Sequence, residues 1–203
     1  MVRKLLSSLL ILSALLCFPV YGAQQIRPNA GIGLLIIRPF SPDRASENSS
    51  MTLYNYPGVK RIAEVKNDVI PELHPVLDSA PGAYAVGVTG KKGNWLKIAY
   101  DDAGREGWVK MERCWVYTPW ESFLKGRSAA LLPKLRKSSY QIRKDHSESS
   151  EPLITLSSLQ KLQVVAIEGD WARVIIEGVP TGWLRWRDQE GRLMISLVGP
   201  VMK

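Results

Sequence analysis

The sequence predicts an all-β protein built from two similar small units. Three observations carry this. Its apolar stretches are short and bounded by glycine, proline and polar clusters, the punctuation of strands and turns. Few segments carry a helical period. And one pattern occurs twice. Gly93-Asn94-Trp95-Leu96-Lys97-Ile98 precedes Gly107-Trp108-Val109, and Gly169-Asp170-Trp171-Ala172-Arg173-Val174 precedes Gly182-Trp183-Leu184. The offset is 76 positions from Trp95 to Trp171 and 75 from Trp108 to Trp183. Self-similarity at a nearly fixed offset means that one unit was used twice.

The elements follow in chain order. Residues 1–23 have the layout of a secretory signal peptide: Arg3 and Lys4, an apolar run from Leu5 to Phe18, then small residues ending at Ala23. That run is too short to read first as a membrane span, which needs about 20 apolar residues. Residues 24–50 follow as a strand and a polar loop. Gly31 to Ile37 is short and apolar, a buried strand, and Pro39 to Ser50 is rich in turn residues.

Residues 51–117 form the first unit. Leu53 to Gly58 reads as strand and turn, and Arg61 to Val65 alternates weakly. Pro71 to Gly82 holds three prolines and reads as an insertion or long loop. Tyr84 to Val88 is a strand, and Trp95 to Tyr100 alternates, with Leu96, Ile98 and Tyr100 sharing one face. Asp101 to Gly104 makes a hairpin loop. Residues 118–135 are a connector, in which Glu121 to Leu132 reads as a short helix weakened by Gly126.

Residues 136–203 form the second unit. Its strands are Tyr140 to Arg143, Pro152 to Leu156, Leu162 to Ile167, Trp171 to Glu177, the segment opening at Trp183, and Arg192 to Val198. A polar loop spans Asp145 to Glu151.

These residues resemble the bacterial SH3-like family. Ile142-Arg143, Leu153 to Leu156, Leu162 to Ile167, Gly169 to Val174 and Gly182-Trp183-Leu184 follow its order of strands, Gly-x-Trp hairpin and Gly-Trp pair. The first unit keeps the two glycine–tryptophan signatures, with its early part stretched around Pro71, Pro75 and Pro81. The resemblance implies two small five-stranded SH3-like β-barrels in tandem, joined by a short helical or irregular connector. It also implies a targeting or interaction module that recognises cell-wall peptide or glycan, or a partner protein.

The chemistry points the same way. The chain of 203 residues has a formal charge of +8 and stays basic when Arg3 and Lys4 leave with the signal. An exported basic protein meets anionic glycans, head groups or acidic proteins rather than nucleic acid, so a periplasmic or extracellular location is expected. Cleavage after Ala23 leaves Cys114 as the one cysteine, too few for an internal disulfide. A thiol hydrolase would need Cys114 beside a histidine, and His74 and His146 lie in distant segments, so no catalytic residue is assigned. No close ligand spacing implies a metal, and no phosphate loop implies a cofactor.

What remains is aromatic surface. Trp95, Lys97 and Trp108 in the first unit, and Trp171, Arg173, Trp183 and Arg185 in the second, are the expected ligand-binding residues. A broad rigid ring beside a cation suits extended peptides and glycans. Two alternatives stand beside this non-enzymatic binding reading: an envelope assembly protein without a small ligand, and a Cys114-dependent hydrolase.

Overall fold

The computed structural model describes residues 27–38, 50–66, 69–73, 77 and 83–197. The expected signal peptide at residues 1–23, the expected polar loop from Pro39 to Ser49, His74, Pro75, Pro81 and Val198 lie outside these residues.

Fourteen strands, one short α-helix, α1 (Trp120–Leu124), and a single 3-10 turn at Lys137–Tyr140 are the named elements of the described fold. The first seven strands are β1 (Gly33–Ile37), β2 (Ser50–Tyr56), β3 (Val59–Lys66), β4 (Tyr84–Lys92), β5 (Trp95–Ala99), β6 (Glu106–Lys110) and β7 (Val116–Pro119). The second seven are β8 (Ser128–Leu131), β9 (Gln141–Arg143), β10 (Pro152–Thr155), β11 (Lys161–Glu168), β12 (Trp171–Ile176), β13 (Val179–Arg185) and β14 (Ile195–Leu197). They form two antiparallel sheets in the orders β3-β2-β6-β5-β4-β1-β7 and β10-β9-β13-β12-β11-β8-β14. Counted within each half, the two orders are identical.

The all-β class is therefore what the structure has. Each half is an open seven-stranded sheet rather than a closed five-stranded barrel. Among the described residues no ladder joins β3 to β7 or β10 to β14. The extra strands come from segments read as flanks. β1 lies between β4 and β7, and β8, from the expected connector, lies between β11 and β14. The helix read over Glu121 to Leu132 stops after Leu124, and Gly126 turns the chain at φ +77°. Ala129 to Leu131 then become strand, because two neighbours offer backbone partners that outweigh their helical preference.

The repeated motifs have local causes. Gly93 and Asn94 link Lys92 to Trp95 across β4 and β5, with Gly93 at φ +57° and Asn94 at negative φ. Gly169 and Asp170 do the same between β11 and β12, with Gly169 at +56°. Positive φ at the first central residue alone marks a type II′ hairpin turn, where glycine is favoured. A side chain at either glycine would meet nothing within 4 Å, so backbone conformation alone selects it.

The second glycine of each motif is selected by space. A Cβ at Gly182 would lie 2.3 Å from Ile142 Cγ2 and 2.8 Å from the Arg143 carbonyl. At Gly107 it would lie 3.0 Å from Leu53 Cδ2. Both halves also share a bulge. The register jumps from Val88 to Gly90 on β4 and from Val164 to Ala166 on β11. A bulge bends a strand and strengthens its twist.

Two buried clusters follow. Leu35, Ile37, Met51, Leu53, Val86, Val88, Leu96, Ile98 and Val109 fill the first sheet's core. The other cluster joins the halves. It runs from Leu34 and Ile36, on the opposite face of β1, through Trp120, Phe123 and Leu124 of α1, to Leu162, Val174 and Leu184. Leu73 and Leu77, from the proline-rich insertion, belong to it too. Leu34, Ile36, Leu73, Leu77 and Trp120 are each at most 5% exposed. At about 1.5–3 kcal/mol per large apolar side chain, this contact far exceeds thermal energy.

Hydrogen bonds reinforce it. Ala30 N donates to Gly191 O at 2.8 Å, and Leu193 N donates to Pro28 O at 3.0 Å. Arg187 Nη1 donates to Gly31 O at 2.9 Å, and Trp120 Nε1 donates to Ala30 O at 2.6 Å. Arg27 pairs with Asp188 at 2.5 Å. The segment before β1 is thus strapped across the second half.

Candidate functional site

Strand alternation places the candidate residues. On β5, Leu96 and Ile98 are fully buried, so Trp95, Lys97 and Ala99 face outward. On β6, Gly107 and Val109 point inward and Trp108 outward. The register then sets one row across four strands: Tyr54 opposite Trp108, Trp108 opposite Lys97, and Lys97 opposite Gly90. Trp95 sits one pair further along, opposite Lys92 and Lys110.

The rings of this row touch. Trp95 meets Tyr54 edge-on, with centroids 5.2 Å apart, and Trp108 meets Tyr56 at 6.3 Å. Trp95, Trp108 and Tyr54 are half-buried and Tyr56 is 48% exposed. The missing side chain at Gly90 leaves room for Trp108, whose Cη2 would be 3.5 Å from a Cβ there. Two cations border the rings. Lys92 Nζ donates to the Tyr56 hydroxyl, and Lys97 pairs with Glu106. Burial pushes the Glu106 carboxyl up, but hydrogen bonds from Lys97 and Thr89 outweigh it and hold the group below the usual carboxylate range. The first sheet therefore carries a four-ring, half-open face with lysines at its margin.

The equivalent face of the second sheet is occupied by its own side chains. Trp171 faces away from Ala172, Val174 and Ile176, as alternation requires, yet it is only 7% exposed. The Arg185 guanidinium covers it, 5.0 Å from the ring. Arg185 Nε lies 2.8 Å from Glu148 Oε1, and Nη1 lies 3.7 Å from Asp170 Oδ2. Neither contact has hydrogen-bond alignment, so Arg185 is held by charge. Arg187 pairs with Asp170 at 2.5 Å. Arg143, standing where the first sheet has Tyr54, donates to Ser150 O at 2.6 Å and to Gln141 Oε1 at 2.9 Å. His146 lies 5.2 Å from Trp183 and 3.7 Å from Glu168. The polar loop between β9 and β10 thus folds over this face. Arg173 is exposed and Trp183 is half-buried.

The seven candidates accordingly fall on two faces of two sheets. Trp95, Lys97 and Trp108 come together with rings still open. Trp171 and Arg185 are spent on each other, and Trp183 is partly covered by His146. The remaining tryptophans are core: Trp115 is 6%, Trp120 4% and Trp186 1% exposed. Trp186 lies in an arginine-flanked run, but its ring packs at a tilt against Trp120, with centroids 5.7 Å apart, and its Nε1 donates to Gly169 O.

Sequence reasoning missed Tyr54, Tyr56 and Lys92. The signal was the alternation in Leu53-Tyr54-Asn55-Tyr56, which puts both tyrosines on one face. Cys114 is half-buried against the first core. Among the described residues no group of three or more His, Cys, Asp or Glu is placed to hold a metal ion. No helix among them is long and apolar enough to cross a membrane. Comparison of the chain with protein-family models and with curated proteins finds no match.

Proposed function

We propose that this chain is an exported, non-catalytic binding protein made of two SH3-like units. The first unit would hold the ligand and the second would brace it. The observation that carries this reading is the half-open face of Tyr54, Tyr56, Trp95 and Trp108, edged by Lys92 and Lys97. Rings already fixed by their neighbours lose little entropy on binding and bury much apolar area. The matching strand orders, turns and bulges of the halves support a duplicated unit. The ligand class that fits is an extended segment, a cell-wall peptide or glycan or a strand of an envelope protein, laid along the rings. Cys114, packed against a core, fits a structural thiol better than a nucleophile.

Tryptophan fluorescence during titration with peptidoglycan fragments tests this. A saturable change is expected, and Trp108→Ala should weaken binding roughly 30-fold, the effect of losing about 2 kcal/mol at a ring-based hot spot. No response at millimolar fragment would contradict the cell-wall version.

One observation favours a second reading, an assembly protein. The apolar cluster shared by the two halves makes a stiff body. The open rings distinguish the readings, since a purely structural piece has no use for them.

A further inference from the structure

We infer that the second half carries a separate anion site, built to take a phosphoryl group on a glycerol- or sugar-sized body. It is an open groove of about 560 Å³ at the end of the β9–β10 ladder, away from the aromatic face. That volume lies within the range of small-ligand sites. Its walls are the Tyr140 ring and Leu156, which is 5% exposed.

Among the residues that line the groove, Lys134 and Lys137 carry ammonium groups and Thr155 and Ser158 carry hydroxyls. Gln141 accepts from Arg143 through Oε1, which leaves its NH₂ to be offered. No carboxylate lines the groove. Among the described residues neither lysine is in an ion pair. Tyr140 Oη is engaged already: it donates to Leu132 O at 2.9 Å and accepts from Leu135 N at 3.2 Å. The ring is therefore a fixed wall, and the loop bearing Lys134 is tied to it.

The backbone adds an independent mark. The structure has three non-glycine residues at positive φ, Lys60, Lys134 and Leu159, among those described. Lys134 at +61° lines the groove and Leu159 at +66° adjoins Ser158. Such conformations persist where the surroundings impose them, and they concentrate at ligand sites.

The lining residues carry two ammonium groups and no carboxylate, which selects an anion, and a phosphoryl group with its higher charge draws more from two lysines than a carboxylate does. Both cations are lysines, point charges without the fork that matches a carboxylate. The open shape and exposed lysines set a modest affinity, in the millimolar range.

Amide NMR of the labelled protein is the test, titrated with sn-glycerol 3-phosphate, with acetate, and with phosphatidylglycerol vesicles. Glycerol phosphate should give saturable shifts confined to residues 134–141 and 155–159. Lys134→Gln with Lys137→Gln should weaken it at least tenfold, while Lys60→Gln with Lys125→Gln, two exposed lysines elsewhere, should not. Amide dispersion of each variant reports folding directly. Shifts scattered over all lysines, equal affinity for acetate, or indifference to the Lys134 and Lys137 changes would overturn the site. Binding to vesicles alone would assign the lysines to a lipid surface and overturn it equally. The aromatic-face reading survives any of these outcomes, because Trp108 takes no part.

Discussion

Gly182→Ala puts the physical basis of the repeated Gly-Trp pair to a quantitative test. The added Cβ would stand 2.3 Å from Ile142 Cγ2, more than 1 Å inside ordinary contact, and 2.8 Å from the Arg143 carbonyl. Ile142 is fully buried, so it cannot swing into solvent, and the carbonyl belongs to β9 itself. Overpacking a fixed core costs about 1–3 kcal/mol, and this site belongs at the upper end. With a urea slope of about 2 kcal/mol/M, a loss of about 3 kcal/mol lowers the unfolding midpoint by about 1.5 M. Gly107→Ala is the internal comparison. Its nearest atoms, Leu53 Cδ2 at 3.0 Å and Leu53 Cβ at 3.2 Å, stand further off than Ile142 Cγ2 does from Gly182, so the clash is milder and a loss of about 1 kcal/mol is expected. Pairing Gly182→Ala with Ile142→Ala removes the obstructing methyl, so the double variant should be more stable than the sum of the single losses by about 1–2 kcal/mol. The assay is equilibrium urea unfolding followed by circular dichroism. A Gly182→Ala protein within 0.5 kcal/mol of the parent, or strict additivity with Ile142→Ala, would refute the close-approach argument.

Two further outcomes concern the join between the halves. Trp120→Ala removes a side chain that is 4% exposed, together with its hydrogen bond to Ala30 O. It should cost about 3–5 kcal/mol and split one calorimetric transition into two; a single unshifted transition would show that the halves do not depend on this contact. Asp188 anchors the strap through Arg27. Burial pushes its carboxyl up, but hydrogen bonds from the Arg192 backbone and from Arg27 outweigh it and lower the group below the usual range. A lowered folded value means stability present above the unfolded value, about 3.9, and lost as pH falls through the folded one. The parent should therefore lose more stability than Asp188→Asn below about pH 4, measured by urea unfolding across pH, and parallel acid limbs would remove the strap from the account.

Features encoded within a few residues were legible in the sequence. The Gly-x-Trp pairs mark both hairpins, although the first turn falls at Gly93-Asn94 and not over Gly90 to Gly93, where β4 continues to Lys92, and the alternation along β5 and β12 gives the buried faces directly. Features settled by distant partners were not. Ala129 to Leu131 look helical alone and become strand because β11 and β14 flank them. Gly31 to Ile37 reads as buried, but that its two faces enter two different cores is a matter of tertiary packing. Trp95 and Trp171 occupy the same place in one motif and differ in fate. The first has Tyr54 and the Pro57-Gly58 turn beside it, and the second has Arg185 laid across it with Glu148 and Asp170 holding the guanidinium. No motif contains that difference.

The most direct measurement follows the indole N–H resonances of the labelled protein during titration with peptidoglycan fragments. The account predicts saturable shifts at Trp95 and Trp108, with Trp115, Trp120 and Trp186 unmoved. Movement confined to Trp183, or an unchanged isotherm in Trp108→Ala, would contradict it.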